Sequence, residues 1–189
     1  MKPATVSQIK KELKFHSSEE LETLCLRLAR FKKENKELLT YLLFEAEDET
    51  RYVAHVKEYI SERFSEVNTA SFYYVKKSIR KILRETKKFI RYSSKKETEV
   101  ELLLYFCKVL ADFKPSIKNS VAMVNLYERQ ILLIEKKITG LHEDLQYDYR
   151  LELDELEIWV AFILQTHKSK AKINLTIKYD RNLPQSQMQ

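Results

Sequence analysis

The sequence predicts an all-α protein of about seven or eight helices in antiparallel αα-hairpins, forming a short α-solenoid-like array, with a closed helical bundle as the alternative. Three observations lead there. Apolar residues recur at three- and four-residue spacings along most of the chain. One glycine and three prolines occur in 189 residues, so the breaks in that rhythm fall at capping residues instead. Strand-like alternation is confined to Ile173, Leu175 and Ile177, with no convincing second strand to pair with them.

Ser17-Ser18-Glu19-Glu20 has the spacing of a capping box and opens a helix with Leu21, Leu24, Leu28 and Phe31 on one face. Asn35 is the expected N-cap of a second helix carrying Leu38, Leu39, Leu42 and Leu43, which gives an αα-hairpin over 17–46. A single long helix satisfies the same pattern. Asp48 caps the next helix, with Tyr52, Val56, Tyr59 and Ile60 near one face and an end near Val67 and Asn68. Thr69 or Ser71 starts another, and its face of Phe72, Val75, Ile79, Ile82, Leu83, Phe89 and Ile90 is the cleanest amphipathic pattern in the chain.

From about Glu97 to Phe113 the helix is apolar nearly all round, apart from a stripe of Glu101, Lys108 and Asp112, and is expected to be central. Lys114-Pro115 ends it, because proline disfavours helical geometry in the residue before it. Asn119 or Ser120 opens a helix with Val124, Tyr127, Ile131, Ile134 and Ile138 as its seam, flanked by Met123, Leu126, Leu132 and Leu133. Gly140 is expected to close it in a left-handed conformation. Residues 141–164 are helical by pattern, with a local break allowed at Leu151-Glu152-Leu153, and Trp159 is expected in the core. The reading is one helical domain over 1–167 and a flexible tail over 168–189.

Composition excludes several function classes. Gly140 alone cannot build a phosphate-cradling loop or a nucleophile elbow. No Glu lies three residues before His16, His55, His142 or His167, and no Cys-x-x-Cys or His-x-x-x-His occurs, so no metal or cofactor is implied. Cys25 and Cys107 lie in apolar helical patterns, where a buried, reduced thiol is expected rather than a disulfide or a nucleophile. Glu45, Glu47, Asp48 and Glu49 gather at a helix junction, where capping explains them. The longest apolar run, Ile158 to Leu164, is far short of a membrane span, and the expected location is cytoplasmic.

One feature stands out. Residues 71–96 hold ten cations against the single Glu85, a net of +9 in a chain of +6. Lys76, Lys77, Arg80, Lys81, Arg84, Lys87, Lys88 and Arg91 fall within an arc of about 140° opposite the apolar face. They form a stripe about 22 Å long, with Tyr73 on the same arc. Such a stripe suits the charge spacing of a phosphate backbone, and Tyr73 could stack on a base. A solvated helix face balanced by acids elsewhere is the competing reading: Glu143, Asp144, Asp148, Glu152, Asp154, Glu155 and Glu157 face only Arg150.

The expected function is therefore non-catalytic: a helical interaction or scaffold protein that docks a protein partner, or a second copy of itself, through the basic helical face or the acidic C-terminal segment. Nucleic-acid binding by the basic helix over 72–92 is the alternative, and an enzyme with an unrecognised site ranks third.

Overall fold

The computed structural model describes residues 2–158. Trp159, the alternation from Ile173 to Ile177 and the tail boundary at residue 168 lie outside the described residues. The chain divides into two units between Tyr52 and Val53, and each is taken by itself. All regular structure among the described residues is helical.

The first unit starts with a helix for which no expectation was formed, α1 (Val6–Leu13). It exists because Thr5 and Gln8 form a reciprocal capping box, with the Thr5 N–H donating to Gln8 Oε1 at 2.9 Å. In α2 (Ser18–Phe31) the expected box is present: the Ser17 N–H donates to Glu20 Oε2 at 2.8 Å and the Glu20 N–H to Ser17 Oγ at 3.2 Å. Lys32 is extended, with φ −142° and ψ 143°, so the helix breaks and α3 (Lys33–Thr40) follows at once. Asn35 is not its N-cap. It lies in the first turn of α3 and its Nδ2 donates to the Leu28 carbonyl at 2.9 Å, tying α3 to the end of α2. A π turn over Tyr41–Glu45 then closes on Tyr52, with ring centroids of Tyr41 and Tyr52 4.6 Å apart.

The leucine faces of this unit are not buried as the hairpin reading requires. None of the residues of α1, α2 or α3 is buried: α2 contacts α3, but helices of 14 and 8 residues cannot enclose each other's apolar faces. Cys25 is exposed for the same reason, against the buried position expected of it.

In the second unit the sequence pattern and the packing agree closely. Asp48 Oδ1 accepts the Arg51 N–H at 3.0 Å and so caps α4 (Glu49–Ser65), the helix that leads into this unit. After it come α5 (Phe72–Ser93), α6 (Lys96–Asp112), α7 (Val121–Ile138) and α8, the helical residues 143–158. Successive helices are neighbours: α5 packs on α6 and α6 on α7. Val100, Leu102, Leu103, Phe106, Cys107 and Leu110 of α6 are fully enclosed, while Glu101, Lys108 and Asp112 lie outside, as its narrow polar stripe requires. Around it pack Ile60 of α4, Val75 and Ile79 of α5, and Met123, Tyr127 and Ile134 of α7. Polar contacts hold the layers in register: Lys57 to Glu101 and Ser61 to Tyr105, each at 2.6 Å, join α4 to α6, and Lys137 to Glu99 at 2.7 Å joins α7 to α6.

Three details correct the sequence reading. Gly140 does not adopt a left-handed conformation; its carbonyl accepts from Lys96 Nζ at 3.1 Å. The left-handed residue is Ser94, with φ 57°, which closes α5. Leu132 is exposed rather than flanking the buried seam, and α8 runs unbroken through Leu151-Glu152-Leu153, with Leu153 turned into the core.

Candidate polyanion-binding face

The basic stripe is carried by α5, whose apolar face anchors it on the core. Val75, Ile79, Ile82, Leu83 and Ile90 are buried, which fixes the opposite face outward. Lys77, Arg80, Lys81, Arg84 and Arg91 are exposed, and Lys76, Lys87 and Lys88 are half-buried. Tyr73 is 66% exposed on the same arc, its ring edge-on to Tyr74 at 5.4 Å. The structure thus brings all nine sequence-predicted residues to one face.

The two flanks differ. Towards α4, Glu85 accepts the Tyr59 hydroxyl at 2.8 Å, and Lys81 Nζ stands 4.0 Å from its other oxygen. Lys88 lies over the rings of Phe89 and Tyr92, at 5.1 and 6.0 Å from their centroids. Towards α7 an open groove of about 630 Å³ runs beside α5. Arg80, Lys87 and Arg129 line it, with Leu83, Leu126 and Leu133 as apolar wall and no carboxylate. Burial lowers the pKa of Lys87 from the usual lysine range, with Glu99 and Cys107 partly opposing the shift. Gln130, 5% exposed, also borders the groove; its Nε2 donates to the Leu126 carbonyl, and its Oε1 has no hydrogen-bond partner among the described residues.

Arg129 is the residue that sequence reasoning missed. It lies on α7, forty-nine positions from Arg80, and only the packing of α7 beside α5 brings it to the stripe. A cation on the flank of an apolar seam carries no signal by itself.

The acidic segment lies elsewhere. Asp148 and Glu152 of α8 border a groove with Lys57, Glu101 and Lys108, and Glu155 adjoins Lys108 and Asp112. These three carboxylates are thus set against α4 and α6. Among the described residues no carboxylate comes within 4.0 Å of Lys76, Lys77, Arg80 or Arg84. Also among the described residues, no three His, Cys, Asp or Glu side chains gather as a metal site, and no helix is long and apolar enough to cross a membrane. Burial drives the Cys107 thiol above the usual range, which disfavours a thiolate. No family model matches the sequence, and no curated protein or solved structure is significantly similar to it.

Proposed function

We propose that the chain is a non-catalytic helical interaction protein and that the basic face of α5 is its docking surface for a polyanionic partner. One observation carries this reading: four cations of the stripe have no carboxylate neighbour among the described residues, while the acidic helix α8 is packed against α4 and α6. Uncompensated charge on a rigid helix concentrates anions along a line and speeds their encounter. The proposal includes a scaffold of helical hairpins closed around α6, the bundle alternative, favoured by the contacts of α4 with α6 beside those of α5 and α7 with α6, and a cytoplasmic setting.

Nucleic acid is the second reading, favoured by Tyr73, which stands exposed on the cationic arc where a base could stack. Titration with a short DNA duplex, a single strand and an acidic polypeptide, each at two salt concentrations, separates the readings. Five phosphate contacts, from Lys76, Arg80, Arg84, Lys87 and Arg91, imply a log–log salt slope of about −4.5 on duplex DNA. Reversal of Arg80 and Arg84 to Glu is expected to abolish binding with the melting curve unchanged. Absence of binding to all three probes at low salt overturns the docking surface; binding of the polypeptide alone overturns the nucleic-acid reading.

A further inference from the structure

Helix α8 has two apolar sides. Leu153 and Leu156 are buried and hold it to the core, while Tyr147, Leu151 and Ile158 are 67, 52 and 71% exposed. At 100° per residue those three fall within an arc of about 40°, opposite the buried pair. Asp144 borders this arc on one edge and Glu143 and Asp154 on the other, and all three are exposed. Asp144 stands 3.3 Å from the imidazole of His142, and Arg150 is the one cation of the helix. Near its end the carboxyl of Glu157 is held above the usual carboxylate range by burial and by the charges of Glu135 and Asp154, so acids meet acids there.

The groove between α5 and α7 has the same plan with the opposite charge. Leu83, Leu126 and Leu133 form its apolar wall, with Arg80 and Lys87 on the α5 bank and Arg129 on the α7 bank. Its lining on α7 runs from Ala122 to Leu133 and the α8 stripe from Tyr147 to Ile158, each about 16 Å of helix. Within one molecule the two faces point apart. Arg129 and Glu135 stand about 120° apart around α7, the first in the groove and the second within electrostatic reach of Glu157 on α8.

We propose that the outer face of α8 docks into the α5–α7 groove of a second copy of this chain. The inference rests on the reading of the basic face of α5 as a docking surface and names its partner. The stripe of Tyr147, Leu151 and Ile158 covers the leucine wall, and carboxylates on both its edges meet cations on both banks. Because the two faces differ, the contact is heterologous: each pairing leaves one groove and one α8 unfilled, and association runs past the dimer unless a ring closes.

The experiment uses the full chain. Light scattering after gel filtration is expected to give a mass that rises with concentration above the 22.6 kDa of one chain and falls back as salt screens the charges. Tyr147→Ser with Leu151→Ser on α8, and Arg80→Glu with Arg129→Glu in the groove, are each expected to give a monomer with an unchanged melting curve, since all four side chains are exposed. Mixing the two variants is expected to restore a single contact and to give a dimer of twice 22.6 kDa that grows no further. A wild type that is monomeric at high concentration overturns the inference, and so does a mixture that stays monomeric. Association that survives either variant assigns the contact to another surface and overturns α8 as the occupant of the groove. Titration with an acidic polypeptide reads the α5 face separately: binding by a wild type that remains monomeric refutes the α8 contact and leaves the docking face standing, and absence of both removes both.

Discussion

The Tyr59 hydroxyl donates a 2.8 Å hydrogen bond to Oε2 of Glu85, joining α4 to the only acidic residue of α5. The Tyr59 ring is held edge-on to Phe89 at 5.2 Å, with the Arg63 guanidinium over its face at 5.0 Å. One oxygen of Glu85 is thereby engaged by the fold, while the other stands 4.0 Å from Lys81 of the stripe. Tyr59→Phe is expected to cost about 1–2 kcal/mol, the value of a hydrogen bond to a charged acceptor, measured by chemical denaturation. Glu85→Gln is expected to tighten polyanion binding, which tests whether this carboxylate acts on the stripe's charge. Unchanged stability in Tyr59→Phe would show that the bond contributes nothing.

Leu103 and Leu110 are fully enclosed on α6, whereas Leu132 on α7 is 63% exposed. Leu103→Ala and Leu110→Ala are each expected to cost about 2–5 kcal/mol, through lost transfer energy and the cavity left behind. Leu132→Ala is expected to stay within about 0.5 kcal/mol. Comparable losses at Leu132 and Leu103 would refute the orientation of α7.

What the sequence made legible follows from where periodicity is decisive. Helices α5, α6 and α7 carry continuous apolar faces, and Val75, Leu103 and Ile134 fall where the pattern puts them, each fully buried. The eight-cation stripe was visible for the same reason, since it is the complement of one helix's apolar face. Two kinds of feature were not legible. Periodicity says that Leu28 and Phe31 want a partner but not whether the chain supplies one, and within the first unit it does not. Tertiary neighbours such as Arg129 and Arg80, or Glu101 and Lys57, meet only once the helices pack. Glycine propensity points to a left-handed residue at Gly140, whereas the chain places it at Ser94.

Ser94 adopts φ 57° and ψ 11° at the end of α5, a region that disfavours residues with a Cβ. Its Oγ recovers part of that cost by donating to the Arg91 carbonyl at 3.0 Å. Ser94→Gly is expected to raise stability by about 0.5–1 kcal/mol, the relief of the Cβ exceeding the loss of an exposed hydrogen bond. A lower melting midpoint in Ser94→Gly would show that the hydroxyl contact dominates.

Cys107 and three tyrosines have pKa values raised by burial: Tyr59, Tyr127 and Tyr149, the last pushed up to about 12. Each is neutral when protonated, so the folded chain retains protons that the unfolded chain releases above about pH 9 for the thiol and about pH 10 for the phenols. Their contribution to stability is complete below pH 9 and is lost as pH rises towards the folded-state values. Lys87 has the opposite sign over part of that range, because its depressed pKa favours the neutral amine when folded. Thermal unfolding from pH 7 to 11.5 is expected to show a flat midpoint to about pH 9 and a fall above it. Cys107→Ala is expected to delay the onset to about pH 10; an unchanged onset would remove Cys107 from the account.

Lys87 stands where binding and stability oppose each other. It lies on the α7 edge of the stripe, lines the groove with Arg80 and Arg129, and has its pKa lowered chiefly by burial, so the folded state disfavours its charge. Lys87→Met keeps the aliphatic contact and removes the half-buried charge, and is expected to raise the melting midpoint by about 1–3 °C. If Lys87 contacts the polyanion, the same change weakens binding and reduces the log–log salt slope by about 0.9, the share of one phosphate. Stabilisation with an unchanged slope would place Lys87 outside the binding face, and destabilisation would show that its ammonium group supports the fold.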